Sequence, residues 1–326
     1  MILLENFLTV SGQALSLFIM IALGVLLYKV KLFRHESITD ITNILLWGIT
    51  PCLIVNTFLR PFERELALSL GVFALLSAVA MTLTAVCTFA LFRKHNRSDR
   101  GIMSFATTFT NCGFMGLPLA QALFGYDGVI YASIFVAVFN FLQWTLGFYL
   151  LSGKSSDGTR TAFPVKRLLL NPGVIGIAIG LPLFLFSVSL PGSITGAVSS
   201  IADVNTPLAM IVIGAHLADG DILKALRDRR VLSVCALRLL AVPAVALGIA
   251  ALCGPLGLDL QWGWLPDKLA ASVLIIELAA PCPATTVLIG TLCGHDGELS
   301  GRCVALSTLF SIATLPVVAT ACNILC

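Results

Sequence analysis

T-T-F-T-N-C-G-F-M-G-L-P-L-A-Q-A-L-F-G-Y-D-G, from Thr107 to Gly128, is apolar enough to enter a bilayer, yet it holds Asn111, Gly113, Gly116 and Pro118 at its centre. Proline removes a backbone donor and clashes with the preceding turn, and glycine weakens the helix further. In hydrocarbon such a break persists only where it is buried in protein or lines a watery cavity. A second stretch of the same kind, I-E-L-A-A-P-C-P-A-T-T-V-L-I-G-T-L-C-G-H-D-G, runs from Ile276 to Gly297. Both close on G-x-D-G, at Gly125 to Gly128 and at Gly294 to Gly297. Two interrupted apolar segments at matching places in two halves of a chain point to a mid-membrane solute site.

Composition agrees with a bilayer environment. Hydrophobic residues make up 58% of the 326 residues and charged residues 11%, against about 25% charge in a soluble domain. Mean hydropathy is +0.97. The first residues, Met1 to Asn6, carry no basic side chain and no small-residue cleavage site follows, so the first apolar run is expected to stay as a span. Ten cysteines are scattered singly without metal or redox spacing. They read as small packing residues. The four histidines fall in or near loops on one side, which gives no metal cluster.

Apolar runs bounded by charge or turn residues predict ten spans, near 7–28, 38–59, 66–92, 100–123, 128–151, 169–190, 194–217, 230–253, 269–293 and 302–325. Sixteen Lys and Arg residues fall in the odd-numbered loops and three, Arg60, Arg64 and Lys268, in the even ones. The positive-inside rule then places the odd loops in the cytoplasm and both termini outside. The Ser/Gly/Thr-rich stretch 152–168 is the expected cytoplasmic linker between 1–151 and 169–326. Five spans lie on each side of it, and an odd number forces the second half to run opposite to the first. The expected fold class is therefore an all-α integral membrane protein of ten transmembrane helices, built as two inverted five-helix repeats with broken helices 4 and 9. I-T-P (Ile49 to Pro51) in span 2 and N-T-P (Asn205 to Pro207) in span 7 are its weak internal echo.

Chemistry-bearing positions cluster at the breaks. Asn111 lies about 16 Å into its span at 1.5 Å per residue, near the midplane. A helix broken there presents uncapped N–H groups at Cys112 and Gly113 with a partial positive charge, suited to an anion. Asn111 adds an amide donor, or caps its own helix. Pro118 joins the candidate set chiefly as the residue that shapes the break. In span 9, Pro281 and Pro283 flank Cys282 and free nearby carbonyls, while Thr285 offers a hydroxyl. Thr50 and Thr206, beside Pro51 and Pro207, read either as contacts from the facing helices or as neighbours of hinges. Three ionisable residues fall inside spans: Asp203, Arg238 and Glu277. A charge at the bilayer centre costs about 2.5–3.5 kcal/mol on insertion scales, so each needs a partner or a task. One reading is a structural ion pair, Arg238 with Glu277 or with Asp203. The other makes Glu277 and Asp203 cation-coupling residues. Glu277 precedes Pro281 by one turn, and a carboxylate with freed carbonyls suits a small hard cation.

N-C-G-F-M-G-L-P-L-A-Q-A-L-F-G (Asn111 to Gly125), T-P-L-A-M-I-V-I-G-A-H-L (Thr206 to Leu217), P-C-P-A-T-T-V-L-I-G-T-L-C-G (Pro281 to Gly294) and L-L-W-G-I-T-P-C-L-I-V-N-T-F (Leu45 to Phe58) resemble the auxin efflux carrier family over nearly the whole chain. The short central loop resembles the bacterial members called malate or malonate permeases. The resemblance implies crossed, broken helices 4 and 9, a scaffold of spans 1, 2, 6 and 7, and a moving domain of spans 3–5 and 8–10. It implies that Asn111 contacts the anion. The sodium–bile acid symporters share this architecture at the level of fold, and there a glutamate before the ninth-span break takes part in a sodium site. Pro281 stands here where those proteins have an amide ligand.

The expected function is secondary transport of small organic anions, carboxylates such as malonate or malate, by alternating access. The expected setting is a bacterial inner membrane. No cofactor is expected beyond Na+ or H+ as coupling ion, and no resident metal. The expected partners are the anion and the lipid bilayer, with a homodimer left open and no nucleic acid. The alternatives are a membrane-embedded enzyme using Asp203 and Glu277, and a non-transporting sensor. Against the enzyme, the chain holds no H-E-x-x-H, nucleophile-elbow or P-loop signature.

Overall fold

The computed structural model describes residues 2–152, 172–219, 222–253, 268–295 and 297–325, and every regular element among them is helical. α1 (Ile2–Lys29) and α3 (Arg64–Leu91) are unbroken, whereas α2 covers 35–58 through a π-helical turn at Leu45–Ile49. α4 (Arg97–Thr108) stops at the first break. A π turn at Cys112–Gly116 opens α5 (Leu117–Leu142), which continues through another at Gln143–Gly147 to Leu151. α6 (Pro172–Leu185), α7 (Gly192–Asp203), α8 (Asn205–Asp219) and the short α9 (Ile222–Arg227) follow. α10 covers 229–253 with a π turn at Leu237–Ala241, and α11 (Lys268–Ala279) and α12 (Thr285–Leu292) flank the second break before α13 (Gly297–Leu325). Apart from Ser152, the expected linker lies outside the described residues.

Three of the four π turns have one cause. Pro51, Pro118 and Pro243 each sit at the second position of the helix after a π turn. A proline offers no N–H to the carbonyl four residues back, and its ring crowds that oxygen. Those carbonyls belong to Trp47, Phe114 and Leu239, each inside the widened turn. One extra residue per turn relieves the clash without ending the helix. The prolines were legible in the sequence as hinges or break-shapers at 51 and 118. The widening they produce was not.

Six stretches among the described residues are long and apolar enough to cross a membrane. One of them, Arg97–Leu151, has 55 residues. At 1.5 Å per residue that far exceeds a hydrocarbon core of about 30 Å. The chain instead turns back at Gly125, so that Arg97 Nη1 donates to Leu150 O at 2.7 Å. Pro172–Leu185, and α11 and α12 on either side of their break, are each shorter than a full crossing. Large apolar side chains such as Leu75, Leu83, Val86, Val245 and Ile249 are exposed on the outside, as a bilayer-facing surface requires.

Packing pairs the helices across the two halves. α1 lies along α8, and the C-terminal part of α2 lies along α6. α1 and α8 come so close that a Cβ at Gly24 or Gly214 would strike the carbonyl of Ile211 or Ile21. α3 packs on α4 and α5, and α10 packs on α11 and α13. α5 contacts α11, and α4 contacts α13. Phe58, Phe73, Phe105, Phe109, Phe135 and Phe184 are fully buried in the largest core cluster.

Candidate functional site

The two breaks meet. Asn111 N–H donates to Pro281 O at 2.8 Å, joining the gap after α4 to the gap after α11. The carbonyl of Asn111 in turn accepts from Met115 N (3.0 Å) and Gly116 N (3.1 Å), which starts the π turn. Arg238, projected by the π turn of α10, holds the junction from behind. Its Nε donates to Ala280 O at 2.9 Å, and its Nη1 to Thr107 O at 3.0 Å and Thr108 O at 3.2 Å. Those carbonyls end α4 and α11, where a helix leaves acceptors unpaired and its dipole is negative. One buried guanidinium therefore caps both broken helices.

A cavity of about 440 Å³ opens beside the junction. Thr50, Asn111, Cys112, Gly113, Pro283 and Thr285 all line it, so six of the nine expected substrate-contact residues come together. Its remaining polar lining is amide and hydroxyl, from Asn43, Asn140, Gln143 and Thr110, and its walls are largely aromatic, from Trp47, Phe114, Phe139 and Trp144. No charged side chain is among the lining residues. Gln143 Nε2 donates to Asn140 Oδ1 at 2.7 Å, fixing the amide pair. Sequence reasoning missed this pair, although two amides inside the apolar run 128–151 were the available signal.

The other candidates lie elsewhere. Pro118 is buried in α5, Pro281 faces Asn111 through its carbonyl, and neither lines the cavity. Thr206 Oγ1 donates to Gln121 Oε1 at 2.8 Å, while Thr50 Oγ1 donates to Leu45 O at 2.9 Å and reaches Asn205 Oδ1 at 3.3 Å. The I-T-P and N-T-P segments thus touch each other through Thr50 and Asn205. The expected ion pair of Arg238 with Glu277 or Asp203 is not formed, because the carbonyls freed by the two breaks take the guanidinium instead. Asp203 accepts from Tyr126 Oη at 2.6 Å on the exposed surface. Glu277 is fully buried, and neither carboxylate oxygen has a hydrogen-bond partner among the described residues. It packs against Gly116 of the other break, where any Cβ would collide with the carboxylate.

The G-x-D-G segments form two corners, each on a glycine of positive φ, 63° at Gly125 and 80° at Gly294. Only glycine enters that region at no steric cost. At the first, Tyr126 bonds Asp203 and Asp127 pairs with Arg60 at 2.8 Å. At the second, His295 Nδ1 meets Ser98 Oγ at 2.6 Å and His295 Nε2 meets Leu151 O at 2.7 Å. Beside it a charge cluster ties α4, α10 and α13. Arg230 contacts Asp228 (2.7 Å) and Asp99 (2.9 Å), and Arg302 contacts Glu298 and Asp228. The hydrogen bonds from Arg230, side chain first, hold the Asp228 carboxyl below the usual aspartate range against the opposing effect of burial.

A helical, lipid-exposed chain with two broken helices joined beside a cavity has the form of a membrane transporter. Comparison with known proteins identifies it further. The family described as Membrane transport protein matches residues 9–319, and the chain belongs to that family, which holds the auxin efflux carriers. An uncharacterized transporter of Methanothermobacter thermautotrophicus is 23% identical over 307 residues, 93% of this chain and 95% of that one. Another, from Methanocaldococcus jannaschii, is 26% identical over 210 residues, 63% of each. A proposed malonate transporter of Rhizobium meliloti is 19% identical over 313 residues, 94% of this chain and 93% of that one. The protein is an integral membrane transporter and not an enzyme.

Proposed function

We propose that this transporter carries small organic anions, and that it binds a carboxylate where the two broken helices meet. The junction of Asn111 with Pro281, beside a 440 Å³ cavity lined by Asn111, Cys112 and Gly113, carries this reading. N–H groups at a helix start, with an amide beside them, favour negative charge without any charged side chain. The name of the Rhizobium meliloti relative supports malonate as the first cargo to test.

The helix pairs support ten spans in two inverted repeats. Exchanging spans 1–5 with 6–10 turns the α1–α8 contact into the α6–α2 contact, and the α4–α13 contact into the α11–α5 contact. In this reading spans 1, 2, 6 and 7 form a scaffold, spans 3–5 and 8–10 move, and both termini lie outside. Glu277 binds the coupling cation, Na+ or H+. Its support is a buried carboxylate without a hydrogen-bond partner at the crossing itself.

Uptake of labelled malonate into proteoliposomes, with sodium and proton gradients imposed separately, tests both parts. The expected result is uptake driven by one gradient and abolished as a driven process in Glu277→Gln. Wild-type uptake indifferent to both gradients would remove the coupling role. No uptake of any mono- or dicarboxylate would remove the anion reading.

A further inference from the structure

The cavity and the first G-x-D-G corner occupy opposite ends of the same helices. On α2 the cavity is lined from Asn43 to Thr50, and Arg60 lies ten residues beyond Thr50. On α5 it is lined from Val136 to Trp144, and Tyr126 lies ten residues before Val136. At 1.5 Å per residue the helical part of the first separation, Thr50 to Phe58, is about 12 Å and the second is about 15 Å, both in the same direction. The cavity therefore sits between the breaks and the helix ends that carry the basic loops, where Asn43 and Trp47 are exposed. The other side of the junction is held shut. Tyr126 Oη donates to Asp203 Oδ1 (2.6 Å), Arg60 Nη1 pairs with Asp127 Oδ1 (2.8 Å), and Thr206 Oγ1 donates to Gln121 Oε1 (2.8 Å). All three join α5 and its corner to α2, α7 or α8, and none joins α5 to itself.

We infer that Tyr126, Asp127 and Gln121, with Asp203, Arg60 and Thr206, form a latch that closes the face opposite the basic loops while the cavity is open toward those loops. Passage of a solute through the protein requires the latch to part, so these residues set the balance between the two open states. This inference rests on the transport reading. The Tyr126–Asp203 bond, at 2.6 Å, is the shortest of the three and is charge-assisted. It and the Arg60–Asp127 pair both lie on the exposed surface, with Asp127 at 68%, and water screens each of them. Neither Tyr126 nor Asp203 is among the cavity-lining residues, and both act through the positions of α5 and α7. They are positioning residues.

The test is a thiol-accessibility assay that needs no knowledge of the cargo. Gly113 lines the cavity and has open space where a Cβ would stand, so Gly113→Cys places a reporter in it. Among the described residues Cys52, Cys87 and Cys293 are accessible, and these are first replaced by serine together with Cys253 and Cys326. Cys112, which lines the cavity, is replaced by alanine in parent and variants alike. In right-side-out and inside-out vesicles the parent reporter should react with a membrane-impermeant maleimide from the basic-loop face. Tyr126→Phe combined with Asp203→Asn should raise labelling from the opposite face about tenfold, the loss of one charge-assisted hydrogen bond from the closed state. Asp127→Asn should raise it about twofold and keeps the test alive should the double variant not fold. Labelling confined to the basic-loop face in both variants overturns the latch, as does a parent labelled equally from both faces. Malonate uptake is followed in separate vesicles of the same variants with Gly113 and Cys112 intact. Shifted labelling without uptake supports the latch and counts against malonate transport alone.

Discussion

The two G-x-D-G corners have nearly the same sequence and the same positive-φ glycine, yet they do opposite things. Tyr126 and Asp127 reach outward from their corner to Asp203 at the end of α7 and to Arg60 in the segment just after α2. His295 reaches back, to Ser98 at the start of α4 and to Leu151 at the end of α5, helices that pack with its own. If the two halves are the inverted repeats proposed above, equal corners would make equal contacts in a symmetric state. Their inequality marks one side of the junction as closed and the other as open, and the cavity lies on the open side. The same glycine turn thus serves once as a latch and once as an internal brace.

Removing what both breaks share, rather than either corner, should have the largest effect. Arg238→Gln leaves the carbonyls of Thr107, Thr108 and Ala280 without their donor at the centre of the protein. The expected cost is about 3 kcal/mol or more, since each buried unsatisfied group costs about 1–3 kcal/mol. Thermal unfolding in detergent measures it, and a variant that melts with the parent would show that the guanidinium is not a clamp.

Next comes the brace. His295→Ala removes two contacts at 2.6 and 2.7 Å and should cost about 1–2 kcal/mol of stability. It should leave the sidedness of Gly113→Cys labelling unchanged. Tyr126→Phe should do the reverse, with sidedness altered and melting nearly unchanged. Identical behaviour of the two variants would erase the distinction between the corners.

A smaller effect belongs to Asp228, beside the brace. Its side chain accepts from the Arg230 backbone N–H at 3.0 Å and pairs with the Arg230 guanidinium. Asp228→Asn keeps the N-cap acceptor but removes the charge that pairs with Arg230 and Arg302, and should cost about 1 kcal/mol or less. Because folding lowers the pKa of this carboxyl, its contribution is fully present above the unfolded aspartate value of about 3.9 and is lost as pH falls toward the lower folded value. The melting difference between Asp228→Asn and the parent should therefore persist at pH 7 and shrink below pH 4. A difference that grew on acidification would contradict this assignment.

The breaks were legible because proline and glycine act through the local backbone, whatever packs around them. That is why Asn111, Gly113, Pro283 and Thr285 could be read as neighbours of one site from composition alone. Thr50 was legible for the same reason, through Pro51. The partners of Arg238 and Glu277 were not. An insertion cost says that a buried charge needs compensation, but it does not distinguish a carboxylate from a freed carbonyl, and here the carbonyls at the ends of α4 and α11 took the arginine. The amide pair Asn140 and Gln143 was hidden for another reason. Inside a long apolar run its only signal was polarity, and its place in the cavity depends on the return of the chain at Gly125.

The central claim is that an anion binds at Asn111. Purified protein and Asn111→Ala should be melted across a panel of mono- and dicarboxylates, malonate included, since a specific ligand raises apparent stability by mass action. At least one carboxylate is expected to stabilise the parent in a concentration-dependent way, by about 2.7 kcal/mol at a hundred times its Kd. The same compound should shift Asn111→Ala at least tenfold less effectively in concentration, while the unliganded proteins melt together. An equal shift in both proteins would place the anion elsewhere and contradict the account.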